Sequence, residues 1–259
     1  MSSKTFLKTT SARYNIITID DNDDTKGQLA YFGIEKGLAE CINVKEYKSE
    51  EIWLIFNSDG LPLFKSGPGE FWPILCRIYN DPDVYDPFPV LIYHGNSKPK
   101  DLEVYLDEFI NELNSILENG ISISGKKFKV LIKCFTCDTL ARAFLKKCKG
   151  HTGKNACERC VVEGKSSENR MPYSKIDCEE RSDTSFRNKT DSEHHTGTSP
   201  LEKIKPKINM VQMFVLDIMH LLFLGVMKRL LSFWTTGSNF NVKLGRNQIN
   251  EISRRMNYI

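Results

Sequence analysis

The chain has 259 residues, 40% hydrophobic and 27% charged, a balance that excludes a disordered polymer and fits one large domain or two small ones. The net charge is only +3, so affinity for nucleic acid has to come from local clustering rather than the total. The longest apolar run, 213–227, is short for a bilayer span and is broken by Asp217 and His220, and the start lacks a signal-peptide core.

Residues 1–25 are polar, end in the acidic cluster at 20–24, and read as a loose leader. The pattern over 27–42 predicts a short helix with a mixed apolar face. Strands follow at 51–57 and 71–79, with Pro73 pushing the second toward an edge or a bulge. A turn at 80–83 leads to a third strand at 89–93. In 101–119, Leu102, Leu106, Phe109, Ile110, Leu113, Ile116 and Leu117 form one helical stripe, stopped at Asn119-Gly120. The nearly continuous apolar run 128–135 predicts a central fourth strand, and 139–149 a second helix.

The order β-β-β-α-β-α is that of a ribonuclease-H-like mixed α/β sheet, in which the first and fourth strands are neighbours. Asp59 and Asp138 end those two strands and would lie side by side. From 157 to about 207 the apolar pattern dissolves, a length of loop that needs a staple. A helix is expected from about Val211 to Trp234, and another over 246–259 that stops without a cap. The expected organisation is a leader with a short helix (1–48), the sheet core (49–150), a cysteine- and histidine-bearing insertion (151–208) and a truncated helical segment (209–259).

Two carboxylates at neighbouring strand ends suit a pair of Mg²⁺ ions, because hard cations take oxygen ligands. Asp59 also fits a plain Asp-Gly turn, and Asp138 fits a helix N-cap ahead of Thr139. Asp217 and Glu251 are the available third acids, and a residue beyond Ile259 is an equal candidate. Cys157-x-x-Cys160 has the spacing for Zn²⁺, with Cys148 and His151 upstream and His194-His195 downstream as further ligand candidates. His220 reads as a metal ligand or a core histidine, and Cys134 and Cys137 as core residues. Eight cysteines without a secretion signal belong to a reducing compartment, where pairs read as ligands or core residues before disulfides. Residues 126–175 hold thirteen Lys and Arg against four acids, so Arg142, Lys146, Lys147 and Lys149 are the candidate phosphate contacts, or else a solvated helix face.

Three blocks carry a resemblance. The run from Asp59-Gly-Leu-Pro-Leu to Phe71-Trp-Pro-Ile-Leu resembles the first catalytic block of CACTA (En/Spm-type) DNA transposases and their animal relatives. Cys137-Asp138-Thr-Leu-Ala-Arg-Ala, followed by Gly150-His-Thr-Gly and Cys157-Glu-Arg-Cys160, resembles the second, and Leu216-Asp-Ile-Met-His220 the Met-His block after it. The resemblance covers roughly 28–235. It implies an Asp-Asp-Glu site needing Mg²⁺, a structural Zn²⁺ at Cys157 and Cys160, a role for His220, and cut-and-paste chemistry in the nucleus. The partners it implies are DNA, as transposon ends and target, without a membrane or a small-molecule substrate; a homo-oligomer stays open. The alternative is a catalytically inactive, transposase-derived DNA-binding or protein-interaction module.

Overall fold

The computed structural model describes residues 15–20, 26–64, 67–167, 170–237 and 241–256. The expected leader falls outside the described residues at 1–14 and 21–25. Its remainder is structured. β1 (Ile16–Asp20) and β2 (Lys26–Tyr31) form an antiparallel pair that extends one side of the main sheet. The helix expected at 27–42 is therefore two elements. Residues 26–29 alternate between exposed and buried with a period of two, as a strand does, and helix α1 begins only at Ile34 and runs to Cys41.

The remaining strands are β3 (Glu51–Ser58), β4 (Leu61–Pro62), β5 (Glu70–Tyr79), β6 (Phe88–Gly95), β7 (Ile121–Ile123), β8 (Lys126–Cys137) and β9 (Phe214–Leu216). Their order across the mixed sheet is β1-β2-β6-β5-β3-β8-β7, with β4 beside β5 and β9 beside β8. β3 and β8 are parallel; the other registered pairs are antiparallel. The short strand β7 and its hairpin with β8 were not legible in the sequence.

Helix α2 (Leu102–Asn119) buries the predicted stripe against the sheet, with Tyr105 added and Leu117 only partly buried. Each of those Leu, Ile and Phe side chains contributes roughly 1.5–3 kcal/mol by leaving water. Asp101 caps its start, accepting the Glu103 and Val104 backbone N–H groups at 2.8 and 3.3 Å. Gly120 ends it at φ 70°, where a Cβ would come within 2.4 Å of the Phe128 carbonyl oxygen.

Pro73 lies in an interior strand, with β3 on one side of β5 and β6 on the other, and of the two expectations it is the bulge that the structure shows, as a register shift against β6 between Ile74 and Leu75. The β3–β5 and β4–β5 ladders keep one register, with Ser58 opposite Ile74 and Leu61 opposite Phe71. Asp59 thus falls opposite Pro73 and Gly60 opposite Trp72. Proline has no N–H to donate, which accounts for the break in the ladder there. The chain continues straight into β4, so Asp59-Gly60 is a gap in a strand and not the hairpin turn it resembles. The return comes later, where the Leu63 N–H donates to the Gly69 carbonyl at 2.9 Å.

The segment 151–208 contains helix α4 (Asp183–Arg187) and two short 3₁₀ turns. It belongs to one compact unit with the sheet, spanning residues up to Val215. Buried ion pairs and hydrogen bonds hold it. Glu158 accepts from Arg142 and from Lys146, each at 2.9 Å, and all three side chains are nearly inaccessible. Burial works to raise the Glu158 pKa, but the two cations outweigh it and hold the carboxyl below its usual range. Arg181 donates to the Cys157 carbonyl at 2.9 Å and pairs with Asp191 at 2.6 Å. Arg187 donates to the Ile208 carbonyl at 2.7 Å, and Arg159 to the carbonyls of Val211 and Phe214. The Phe214 ring stacks on Phe135 of β8 at 4.9 Å.

Residues 216–259 form a second unit. The helix expected from Val211 to Trp234 starts later than predicted, because residues 211–213 form a turn and 214–216 are strand β9. A π-helical turn covers Met219–Met227, and α5 (Lys228–Thr235) continues from it. Asp217 sets the later start, accepting the Met219 N–H at 2.8 Å. The last helix, α6 (Arg246–Met256), falls where the sequence places it; 257–259 lie outside the described residues. No described helix is long and apolar enough to cross a membrane.

Candidate functional site

The site is set by one register. β3 and β8 run parallel with Ile52 opposite Val130 and Leu54 opposite Ile132. The register then shifts by one, so that Ile55 faces Cys134 and Ser58 faces Cys137. The extra residue, Lys133, is exposed, and its ammonium lies 5.7 Å from the Trp53 ring centre and 4.5 Å from that of Tyr79. Because of that bulge, Asp59 and Asp138 each stand one residue past a matched pair. Neighbouring strands are about 4.8 Å apart.

Both aspartates line one cavity of about 700 Å³. Asp138 is also the N-cap of helix α3 (Thr139–Leu145), its Oδ1 accepting the Ala141 N–H at 2.6 Å. A carboxylate has a second oxygen, so capping and ligand binding are compatible. The same cavity is lined by a third acid, Glu70 at the start of β5, and by Lys98, Lys100 and Lys147. Sequence reasoning missed Glu70, Lys98 and Lys100. The signal for Glu70 was its place two residues before Trp72, which puts both on one face of a strand. Trp72 Nε1–H donates to Glu70 Oε2 at 2.8 Å.

Two of the expected phosphate contacts are corrected. Arg142 is 4% exposed and Lys146 1% exposed. Arg142 is occupied by Glu158, the Cys137 carbonyl at 2.6 Å and Thr139 Oγ1, and Lys146 by Glu158 and the faces of Phe186 and Phe214. Neither side chain presents its charge to solvent. Helix α3 ends at Leu145, so the basic stretch 142–149 is not one solvated helix face. Lys147 lines the cavity and Lys149 is exposed.

The expected third acids are engaged locally. Asp217 Oδ2 meets His220 Nδ1 at 2.6 Å; burial opposes ionisation, but this bond and the backbone N–H groups hold its carboxyl below the usual range. Glu251 accepts from Arg254 and Arg255 at 2.8–2.9 Å. His220 is half-buried on the π-helical turn with Asp217 as its partner.

Cys157 and Cys160 bring their sulfurs to 3.4 Å. A tetrahedral zinc with sulfurs at about 2.3 Å separates two of them by about 3.8 Å, so the pair has close to a chelating geometry. Burial and the neighbouring Cys157 push the Cys160 thiol up. Cys148 is buried, its thiol raised to about 12 by desolvation, and its Sγ–H donates to the Lys146 carbonyl at 3.5 Å; His151 is exposed. Among the described residues, no group of three or more His, Cys, Asp or Glu side chains is arranged to hold a metal ion. Cys137 is buried as expected of a core residue, its thiol also raised to about 12 by burial.

His194 is fully buried. Its Nδ1 bonds the Asn155 carbonyl at 2.7 Å, and Nε2 has no hydrogen-bond partner among the described residues. Burial lowers its pKa to about 4, which keeps the ring neutral near pH 7. Comparison with protein-family models gives no match, and comparison with curated protein sequences gives none of significance.

Proposed function

We propose that this chain is the catalytic core of a CACTA-type DNA transposase with a ribonuclease-H-like sheet, cleaving and joining phosphodiesters at transposon ends. The observation that carries the reading is the placement of Asp59 and Asp138 beyond a matched parallel pair, both lining one cavity. Asp59 and Asp138 offer the carboxylate oxygens that a hard divalent cation takes; Glu70 lines the same cavity without forming a three-acid metal group with them. When bound there, Mg²⁺ would supply an activated water and charge neutralisation at the phosphorus. Asp59 and Asp138 would hold it from two adjacent strand ends.

Lys98, Lys100 and Lys147 would bind the phosphate backbone along the cavity wall, and exposed Lys149 would extend that contact. Hydrolysis would leave a 3′ hydroxyl at the element end, and that hydroxyl would then displace a 3′ oxygen in target DNA. Cys157 and Cys160 would chelate a structural Zn²⁺ at the root of the insertion, and action on DNA would place the protein in the nucleus. A second reading, a non-catalytic DNA-binding or protein-interaction module, draws on the local engagement of Asp217 and Glu251.

The test is Mg²⁺-dependent nicking of a plasmid carrying the element ends. The unmutated chain should nick it, and Asp59→Asn and Asp138→Asn should both bind DNA without nicking. DNA binding with no nicking by the unmutated chain would favour the second reading.

A further inference from the structure

We propose that Lys147, Lys189 and the loop Thr196-Gly197-Thr198 form a second phosphate-binding site, next to the cavity of the aspartates. It rests on the reading just given only for the source of the phosphate, the backbone of the flanking DNA. Of the described non-glycine residues, three adopt a left-handed φ, and two of them are these lysines, at 54° and 50°. Each closes a helix. After α3, the Lys147 N–H donates to the Phe144 carbonyl at 3.2 Å and the Cys148 N–H to the Ala143 carbonyl at 2.9 Å. After α4, the Lys189 N–H donates to the Phe186 carbonyl and the Thr190 N–H to the Ser185 carbonyl, both at 3.0 Å. This pair of bonds ends a helix on a left-handed residue that is usually glycine, because a side chain there is strained. The helix dipole does not explain the lysines, since Arg142 and Arg187 already stand in the last turns. Strain of this kind collects at binding sites.

Both lysines turn onto one loop. Lys189 Nζ donates to Thr198 Oγ1 at 2.6 Å. The Lys147 carbonyl accepts the Thr196 N–H at 2.8 Å, and its side chain runs past Gly197, where an added Cβ would meet it at 3.7 Å. Lys147 and Thr198 line a cavity of about 510 Å³, Lys147 and Thr196 line the cavity of the aspartates, and Lys100 stands in both walls. The acids of the 510 Å³ cavity are engaged. Asp20 pairs with Lys26 at 2.6 Å, Asp101 caps α2, and Glu103 pairs with Lys203. Among the described residues, none of Lys100, Lys147 and Lys189 forms an ion pair with a carboxylate. A phosphate at the loop would meet ammonium groups and threonine hydroxyls, the donors that suit an anion.

Lys147→Gly and Lys189→Gly remove the ammonium while supplying the residue the turn prefers. Lys147→Arg and Lys189→Arg keep a cation. Binding of a duplex oligonucleotide to the full chain and each variant would be followed by fluorescence anisotropy across a salt series, with melting curves beside it. Inorganic phosphate alone would be titrated by calorimetry. Each glycine variant is expected to melt about 2 °C higher and to reduce the slope of log affinity against log salt by about 0.9. The arginine variants should keep the slope.

An unchanged slope in either glycine variant, or an equal loss in the arginine variants, would overturn the proposal. Binding of inorganic phosphate that both glycine variants lose, with no DNA binding by the unmutated chain, would keep the site and remove DNA as its source, a failure of the transposase reading alone. Binding of neither probe by the unmutated chain would overturn both.

Discussion

Asp59 and Asp138 are separated by 78 intervening residues yet stand level at the ends of adjacent parallel strands, one residue past the Ser58–Cys137 pair. Asp138 does two jobs there, and they separate by substitution. Asparagine caps a helix about as well as aspartate. Asp138→Asn should therefore leave stability within a few tenths of a kcal/mol while abolishing nicking. Asp138→Ala should cost about 1 kcal/mol in addition. Urea unfolding of both variants checks the pair; equal losses would show that Asp138 is not a working cap.

Glu158 is the shared counter-ion of two buried cations. Removing it strands Arg142 and Lys146 without that partner, and breaking a buried pair in this way costs about 3–5 kcal/mol. Glu158→Ala should show that loss in denaturant unfolding. A loss under about 1 kcal/mol would mean that the cations find solvent, and that the insertion is held by other bonds.

Acid should destabilise the protein through His194. Its folded pKa of about 4 lies below the ordinary histidine value of 6.5, so the unfolded chain takes up the proton first. Stability is fully present above pH 6.5 and falls as pH drops toward 4, by roughly 3 kcal/mol in all. Asparagine in place of the histidine would keep an N–H for the Asn155 carbonyl and has no proton to take up. His194→Asn should flatten the unfolding free energy across that range, and an unchanged slope would assign the acid sensitivity elsewhere.

The basic residues should divide into two groups. Lys100→Ala and Lys147→Ala should each reduce the slope of log affinity for DNA against log salt by about 0.9, with little change in stability. Lys146→Ala should instead destabilise the fold, because it leaves Glu158 with half its compensation. Salt titrations by fluorescence anisotropy, paired with melting curves, distinguish the outcomes.

The local elements were readable because each depends on a short stretch of chain. The stripe of helix α2 and the apolar runs of β3, β5, β6 and β8 follow from side-chain periodicity alone. The N-cap of α3 was legible from Asp138 and Thr139, and the two aspartates were legible as strand ends. The edge pair β1–β2 escaped because its signal is six residues or fewer on either side of a polar stretch. What tertiary structure alone decided is which charges face water. Arg142 and Lys146 look like a basic surface in sequence, but only folding brings Glu158 from the insertion to bury them. Glu70 looks like an ordinary strand residue until folding places it in the wall of the cavity that the aspartates also line. Periodicity is a property of neighbours along the chain, whereas charge pairing and cavity walls are made by residues whose separation in sequence carries no information about their distance in space.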